Sequence, residues 1–561
     1  MSKGLKSLAI LALASALLSA CSAPPPAPAG SAQATSAPAS NNSATPSKKL
    51  RVALPGFENN ITPFTLTFGA FPNTHDLITL VYDTLFWSQN DVNPEPWLAE
   101  SAEPSADFKT WTVKLRSGAT WHDGKPVTAE DIKFSFEYYF KFPGASGRYA
   151  HHVNDVPAFD KAEIVDATNV KLFFKSPAPT FKIMPGADLP MIPKHVWENV
   201  AEPSKQTKDL PIGSGPFKVV EIVPDQKYRL VANENYFKGK PMVEELILSI
   251  VKDPAAAFAA LQTGQVDYVA RNVPPELVEQ FKTVNGIKVV TGTRFESNHI
   301  NFNARKEPLS DPKLRKAIML ATDNAAMVKT VLAGKGRPGR DTFLHPDGWM
   351  AVADGTHLFD PAAANKLLDE AGYTEKDTDG IRKTKAGKRL EFILMVSSFE
   401  PLDIRSSQMF AEQQKVIGIK INVESLDPAT LRKRRQPAQA GGIPDYDAYF
   451  ASLESHGHID PDGIYYFYHS PGKKGFGAGV TGYGNPKLDA LAEQASIETN
   501  LEKRKEMIHE MQHILAEESP TVALYYPDGV YAYRSAAYDG WVNDPGHGIF
   551  TKRSFLPGYK K

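Results

Sequence analysis

The stretch WTVKLRSGATWHDGKPVTAEDIKFSFEYYF, residues 111–140, carries the clearest local structural signals in the chain. Apolar residues alternate with polar ones over WTVKL, which is the pattern of a strand with one buried face. The Ser-Gly pair at 117–118 and the Asp-Gly pair at 123–124 predict turns, because glycine accepts a positive φ and aspartate bonds its own backbone. The first half of the stretch therefore predicts a strand followed by a hairpin.

The second half of the stretch predicts a capped helix. Thr128 stands three residues before Asp131, the spacing at which a hydroxyl and a carboxylate satisfy the first free amides of a helix. Ile132, Phe136 and Tyr139 then recur at helical spacing. The whole stretch is structural, since none of these elements carries a reactive group.

The order of these parts, LRSGATWHDGKPVTAEDIKFSFE, resembles the signature of the family 5 extracellular solute-binding proteins, the peptide- and nickel-type receptors of ABC importers. Further segments that resemble this family follow in the expected order. They are IGSGPFKVVE from Ile212, ANENYFKGKPMVEELIL from Ala232, AALQTGQVDYV from Ala259, INFNARKEPLSDPKLRKAIMLATD from Ile300 and DPAAANKLLDEAGY from Asp360. The resemblance covers residues 50–538, nearly all of the chain that is expected to fold.

The N-terminus predicts export and lipidation. Lys3 and Lys6 precede a short apolar run that ends in Leu-Ser-Ala-Cys at residues 18–21, which is typical of a signal peptide over residues 1–20. The ending is similar to a lipobox, which implies that Cys21 becomes the lipidated first residue. Cys21 is the only cysteine, so no internal disulfide can form.

Residues 21–49 are predicted to be a lipidated cysteine followed by a disordered tether. The segment consists mostly of Ala, Pro and Ser, and it has too little apolar surface to offset the entropy of ordering. The whole chain has 63 basic and 64 acidic residues, a formal charge of −1. This balance argues against a nucleic-acid partner.

The remaining chain alternates strand patterns with helices that start at Asp-Pro or Asn-Pro, which predicts an α/β fold. The resemblance implies two lobes around a cleft, a hinge and an extra third domain, as in periplasmic binding proteins. On that basis lobe I comprises residues 50–95, 212–297 and 525–561, the extra domain comprises residues 96–211, and lobe II comprises residues 298–524. Strand crossings near residues 299–303 and near Tyr525 are expected to form the hinge.

Motifs for catalysis are missing from the sequence. It contains no HExxH, no GxSxG and no paired CxxC, so we predict that the chain is not an enzyme and needs no cofactor. The GKGRPG segment at 334–339 satisfies GxGxxG but follows a predicted helix and has a proline where the phosphate-binding helix should begin. We therefore predict no nucleotide site.

The segment LESHGHIDPDGIYYFY, residues 453–468, is the main candidate for ligand contact in lobe II. In the peptide receptors that this chain resembles, an aspartate four residues before the matching proline pairs with the α-ammonium of the peptide. Gly457 stands at that position and cannot supply the charge. The other candidates in this segment are Glu454, His456, His458 and Asp460.

A second charge clamp is also predicted to be missing. The dipeptide receptor has an arginine for the peptide carboxylate where this chain has Ser397, and Phe399 matches a following tyrosine. With both charge clamps missing, three kinds of ligand stay possible. They are longer peptides held by backbone hydrogen bonds, oligosaccharides, and other solutes. Aromatic platforms for a sugar would come from Phe57, Trp349, Tyr465, Tyr466 and Phe467.

Two further interpretations concern loops. Residues 55–63 follow the first strand, and the resemblance implies that Phe57, Glu58 and Asn59 reach the cleft from lobe I. His456 and His458, two residues apart, present both rings on one face of an extended chain and would suit a metal. No third ligand lies nearby in the sequence, so we predict no metal site.

The function that follows is that of a lipid-anchored receptor in the periplasm or on the outer face of the cytoplasmic membrane. It is expected to be a monomer that captures a solute, most simply an oligopeptide, by hinge closure and passes it to the membrane permease subunits of an ABC importer. The alternatives are the same role for an oligosaccharide or another non-peptide solute, a secreted hydrolase, and a chaperone or adhesin.

Overall fold

A computed structural model describes residues 48–559, except for residues 57–59, 65–73, 89–92, 144–148, 150, 207–208, 293–294, 437–441, 454–466 and 474–480. The predicted signal peptide, Cys21 and the tether lie outside the described residues. The described strands and helices are numbered here in chain order. No described helix is long and apolar enough to cross a membrane.

The strands are β1 Lys49–Leu54, β2 Phe86–Trp87, β3 Glu95–Pro96, β4 Ala99–Pro104, β5 Thr110–Leu115, β6 Phe159–Ile164, β7 Asn169–Phe174, β8 Phe217–Val223, β9 Lys227–Ala232, β10 Glu245–Ile250, β11 Tyr268–Val269, β12 Ile287–Gly292, β13 Ser297–Phe302, β14 Gly336–Pro338, β15 Glu391–Ser397, β16 Lys420–Leu426, β17 Ala448–Leu453, β18 Thr521–Pro527 and β19 Gly529–Arg534.

The α-helices are α1 Thr74–Val81, α2 Ala129–Lys141, α3 His151–Asn154, α4 Lys194–Trp197, α5 Pro254–Thr263, α6 Pro275–Thr283, α7 Pro312–Leu320, α8 Asn324–Val331, α9 Pro361–Glu370, α10 Pro401–Gln414, α11 Pro428–Arg434, α12 Pro486–Ala495 and α13 Leu501–Glu518. Short 3₁₀ helices occupy Pro203–Lys205, Lys415–Ile417 and Lys552–Phe555.

The stretch from 111 to 140 folds as its sequence predicts. Strand β5 buries Trp111, Val113 and Leu115, and helix α2 follows a hairpin. The carboxylate of Asp131 accepts hydrogen bonds from the amide and the hydroxyl of Thr128, each at 3.0 Å. The predicted strand, turns and capped helix are confirmed.

The first large sheet has seven strands in the order β12-β19-β11-β1-β10-β9-β8. Strand β1 runs parallel to both of its neighbours, β10 and β11, while the outer pairs are antiparallel. Strands β1, β10 and β11 therefore end at the same edge of this sheet. A separate four-stranded antiparallel sheet, β4-β5-β7-β6, shares one continuous apolar core with the seven-stranded sheet and carries α2 against β6 and β7.

The second large sheet has six strands in the order β14-β18-β13-β17-β15-β16. Strand β15 is parallel to β16 and β17, and β13 is antiparallel to β17 and β18. Helices α7, α8, α9 and α10 contribute buried side chains to the core of this sheet. Together the sheets and helices confirm the predicted α/β class.

The chain passes between the two large sheets at two neighbouring points. Strand β12 of the first sheet leads through residues 293–296 into β13 of the second, and β18 of the second leads through Asp528 into β19 of the first. Strand β12 pairs with β19, and β13 pairs with β18. The two crossings therefore lie side by side, which is a geometry suited to a hinge.

Candidate ligand-binding cleft

The site begins with the strand ends of the seven-stranded sheet. Strands β1, β10 and β11 are parallel, so the loops that follow them, from residues 55, 251 and 270, leave the sheet at one edge. Ligands in open α/β sheets bind beyond the carboxyl ends of such strands. This edge is therefore the first wall of a candidate cleft.

The six-stranded sheet supplies a matching edge. Strands β15, β16 and β17 are parallel to one another, and their carboxyl ends are followed by residues 398–400, by Asp427 and by the segment from residue 454. The loop after β15 leads directly into helix α10. This edge is the second wall.

The two edges meet at Arg271. Its Nη1 donates to Oε1 of Glu400 at 2.6 Å, and its guanidinium carbon lies 4.8 Å from the centre of the Phe399 ring. Nη2 donates to the backbone oxygen of Lys252 at 2.9 Å. Arg271 and Lys252 follow strands of the first sheet, whereas Phe399 and Glu400 follow a strand of the second. The strand ends of the two sheets therefore face each other.

Water is largely excluded from the arginine of this contact, whereas the glutamate is partly exposed. The side chain of Arg271 is 5% exposed and that of Glu400 is 32% exposed. Burial lowers the pKa of Arg271 and raises the pKa of Glu400, and in each case the partner's charge opposes the shift. Burial, together with the charges of Glu400 and Glu296, also raises the pKa of Asp403 well above its usual range. The cleft edge is thus a site of low solvation that is rich in carboxylates.

A second ion pair connects the same two parts of the molecule nearer to solvent. Nη2 of Arg405, in α10, lies 3.4 Å from Oε2 of Glu276, in α6. The two side chains are 47% and 55% exposed, so water screens this pair. The start of helix α10 consequently contacts the first sheet's side of the molecule through two ion pairs, and only the pair with Arg271 has a buried partner.

Of the residues that the sequence predicts for ligand contact, three lie in the described chain. Phe399 lies at the cleft edge under the guanidinium of Arg271. Trp349 and Phe467 pack against an apolar cluster that includes Phe343 and Tyr468. The structure therefore puts Phe399 at the cleft edge and gives Trp349 and Phe467 a packing role, and ligand contact by any of the three stays a prediction.

The other predicted site residues lie outside the described residues. They are Phe57, Glu58, Asn59, Glu454, His456, Gly457, His458, Asp460, Tyr465 and Tyr466. The chain enters their two segments from the ends of β1 and β17, one at each wall of the cleft. Their roles stay predictions. Among described residues, no group of three or more His, Cys, Asp and Glu side chains could hold a metal ion.

Arg271 and Glu400 are not among the residues predicted from the sequence. The quoted segment AALQTGQVDYV ends two residues before Arg271, and a single arginine after a buried strand carries no signal of its own. Glu400 precedes the proline that opens α10, where it resembles an ordinary helix start. The two residues are 129 positions apart, and only the fold brings them together.

The chain has two large sheets that are joined by paired crossings, and the strand ends of the two sheets face each other. This arrangement is typical of proteins that enclose a solute between two halves. The model of the bacterial extracellular solute-binding proteins, family 5 (middle region), matches residues 93–476, well over half of the chain. The chain belongs to this family of solute-binding receptors.

Individual relatives agree with this assignment. The chain is 27% identical over 483 residues to the oligopeptide-binding protein AppA of Bacillus subtilis, covering 83% of this chain and 84% of the relative. It is 28% identical over 460 residues to a putative ABC transporter peptide-binding protein of Brucella ovis, covering 80% of this chain and 81% of the relative.

Solved structures show the same fold. The structure of Bacillus subtilis AppA in complex with a nonapeptide superposes with a TM-score of 0.78 at 25% identity, covering 91% of this chain and 99% of AppA. NikZ of Campylobacter jejuni, in complex with Ni(L-His), gives a TM-score of 0.77 at 25% identity, covering 90% of this chain and 97% of NikZ. The predicted fold of a two-lobed binding protein is confirmed.

Proposed function

We propose that this protein is the receptor of an ABC importer for oligopeptides and that it binds them between the facing strand ends of its two large sheets. The observation that carries the proposal is the contact of Arg271 with Glu400, which brings the strand ends of the two sheets together and supports a cleft between them. The names of the relatives from Bacillus subtilis and Brucella ovis support a peptide as the solute and an ABC transporter as the partner.

The two halves of the receptor follow from the sheets. Lobe I comprises residues 50–95, 212–297 and 525–561, the extra domain comprises residues 96–211, and lobe II comprises residues 298–524. The strands of the seven-stranded, four-stranded and six-stranded sheets fall mainly into these three parts, which supports the division. Closure about the paired crossings would then enclose the peptide, and the peptide would favour the closed form through its higher affinity for it.

The peptide is expected to be held mainly through its backbone. Gly457 has no charge to pair with an α-ammonium, and Ser397 at the end of β15 has no positive charge to pair with a carboxylate. Backbone hydrogen bonds are independent of the peptide's side chains. The receptor should therefore accept peptides of varied sequence, and capping the peptide termini should change affinity little.

Export and anchoring complete the proposal. The signal-like residues 1–20 and the lipobox-like ending at Cys21 support a lipid anchor at the outer side of the cytoplasmic membrane or in the periplasm, and the anchored receptor is proposed to be a monomer. A tether over residues 22–47 would leave the receptor free to meet the membrane subunits of the importer.

A thermal-shift experiment tests the proposed ligand. The full chain, refolded from denaturant to remove bound solute, would be melted with Ser-Thr-Ser-Ala, nona-alanine, mannohexaose and Ni(L-His) in turn. A ligand at about one hundred times its Kd stabilises the protein by about 2.7 kcal/mol, which gives a visible shift. We expect shifts with the peptides alone. A shift with mannohexaose or Ni(L-His) but with neither peptide would overturn the proposal.

A matched pair of variants ties binding to the cleft. Phe399→Ala removes a ring at the cleft edge, and Phe359→Ala removes a ring that is 44% exposed just before α9. We expect the peptide-induced shift to shrink in F399A and to stay unchanged in F359A. Equal shifts in both variants would place the ligand elsewhere.

A further inference from the structure

We propose that Arg271 and Glu400 form a closure contact, which fixes how the edges of the two sheets meet around the ligand and slows release of the ligand. The inference rests on the proposed function for the ligand, and it assigns a positioning role to two residues. Neither is proposed to touch the peptide. Their effect acts through the alignment of the two walls.

The geometry of Arg271 supports this role. The guanidinium is held on its own side by the backbone oxygen of Lys252, so its direction toward the second sheet is set before closure. On the opposite wall it meets the carboxylate of Glu400 at 2.6 Å and the ring of Phe399 at 4.8 Å. An ion pair and a ring contact together define both the distance and the orientation of the two walls.

The carboxylate of Glu400 contacts Arg271 and not the first turn of its own helix. Five of the seven described α-helices that begin with proline follow an Asp or Asn whose oxygen accepts a backbone amide of the first turn, as Asp253 does from Ala256 at 2.7 Å. Glu400 is at the corresponding position of α10, and its side chain makes no such bond. Its carboxylate reaches across the cleft instead. Glutamate is not a usual N-cap residue, so its carboxylate is available for the contact with the other wall.

Burial makes this contact depend on both partners. A charge that leaves water loses its hydration, and the loss is offset only when its partner is correctly placed. Nε of Arg271 has no hydrogen-bond partner among the described residues, so Glu400 and the Lys252 carbonyl are the described acceptors of the guanidinium. Misaligned closure would leave a buried, unpaired guanidinium. The pair therefore stabilises one particular alignment of the two walls, and it does not act as a non-specific attraction between them.

The nearby pair of Arg405 and Glu276 serves as an internal control. It joins the same helix α10 to the same side of the molecule, but both side chains are about half exposed. Water can hydrate either charge when its partner is removed, so loss of this pair should matter little. Comparing variants of the two pairs shows whether the effect on ligand release depends on burial of the ion pair or only on an ion pair being present between the two walls.

The test is a double-mutant cycle on the full chain with R271M, E400Q and R271M/E400Q. Stopped-flow fluorescence would measure association and dissociation rates of nona-alanine and of Ser-Thr-Ser-Ala. We expect each single variant to raise the dissociation rate by about tenfold or more, with the association rate within about twofold of the wild type. The double variant should be no worse than the worse single variant, because it leaves neither charge buried without its partner. R405M and E276Q should stay within about twofold.

Two results would overturn the inference. One is that the dissociation rates of the single variants lie within about twofold of the wild-type rate. The other is that the increases in dissociation rate multiply in the double variant, as they do for independent sites. Circular dichroism of each variant detects misfolding, and R271K, which keeps the positive charge, is measured as a further control. Together they distinguish a misfolded variant from a folded variant with weakened closure. If the wild type binds neither peptide, the proposed function fails, and small-angle scattering then decides this inference separately. Single variants should have a larger radius of gyration than the wild type, and equal radii would contradict the closure contact.

Discussion

Nζ of Lys552 lies 3.0 Å from Oδ1 of Asp83, and neither side chain is exposed to solvent. The ammonium also lies 4.7 Å from the ring of Trp87 and 4.1 Å from the ring of Trp97. Neutral donors complete the shell of Asp83, which accepts from Trp97 Nε1 at 2.8 Å, from Tyr236 at 2.8 Å and from Ser214 at 3.0 Å. A buried ion pair thus joins the C-terminal segment to the segment after α1.

Removal of Lys552 should destabilise the protein strongly. K552M leaves the carboxylate of Asp83 buried without its counter-charge, which costs about 3–5 kcal/mol. Urea unfolding followed by tryptophan fluorescence would measure the loss. Lys240→Met is the control, because Lys240 is 48% exposed and pairs with an exposed glutamate, so its loss should cost less than about 0.5 kcal/mol. Equal unfolding midpoints for K552M and K240M would contradict this account.

His122 should make stability depend on pH in the acid range. Its Nε2 donates to the backbone oxygen of Gly215 at 3.0 Å and its Nδ1 accepts from the amide of Gly213 at 3.2 Å, so the ring is neutral. Burial lowers the pKa of His122 to about 4. The unfolded chain therefore binds the proton first as pH falls, and this contribution is lost between about pH 6.5 and pH 4.

The change should be on the order of 2–3 kcal/mol across that window. Urea unfolding at pH 7, 5.5 and 4.5 would compare the wild type with His122→Gln, in which the stability should fall less steeply. His513→Gln, at an exposed position, provides the control. A variant H122Q with the same pH slope as the wild type would show that His122 is protonated without cost.

Asp131 should be the critical residue at the start of α2. Its carboxylate accepts from the amide and hydroxyl of Thr128 and, through its other oxygen, from the amide of Lys194 at 3.0 Å. Asp131→Ala leaves these donors unsatisfied in a buried setting and should cost about 1–3 kcal/mol. Glu130→Ala, at the exposed neighbouring position, should change the unfolding free energy by less than about 1 kcal/mol. The expectation fails if the two variants unfold at the same urea concentration.

Phe399 and Trp349 should respond in opposite ways. Trp349 packs within an apolar cluster, so W349A should lower the free energy of unfolding by about 2–4 kcal/mol. Phe399 belongs to no such cluster among the described residues and carries the guanidinium of Arg271, so F399A should weaken peptide binding with little loss of stability. Calorimetric titration with nona-alanine and urea unfolding would measure both effects. A stable W349A variant with weakened binding would instead assign Trp349 to the ligand.

Cys21 should determine attachment to the membrane. Cys21→Ser removes the only thiol in the chain, so lipid cannot be added and one hydrophobic anchor is lost. Metabolic labelling with a radioactive fatty acid should mark the wild type and leave C21S unlabelled, and fractionation should find C21S released from membranes. Labelling of both proteins would refute lipidation at Cys21.

Much of the fold could be predicted because its signals are local. The bond between Thr128 and Asp131 spans three residues, and the Asp-Pro starts at residues 311 and 360 are each followed by a helix that the aspartate caps. Period-two alternation placed β5 for the same reason. The family resemblance extended this knowledge to the two-lobed architecture, which the comparisons confirm.

The site could be predicted only in outline. The resemblance pointed to the chain after β1 and after β17, and these strands do end at the facing edges, although the residues named there lie outside the described chain. Trp349 shows why residue type alone does not identify a ligand-binding residue. An aromatic side chain can stack on a ligand or pack in a hydrophobic core, and only its neighbours in the fold distinguish the two roles.

The sequence by itself determined the capped helices, the alternating strands and the family, because each depends on residues close together in the chain or on the order of its family-like segments. Only the tertiary structure decided which charges meet. Arg271 pairs with Glu400 across 129 positions and Lys552 with Asp83 across 469. Such pairs carry no local pattern, since their energy comes from shared burial, and burial exists only after the sheets have formed.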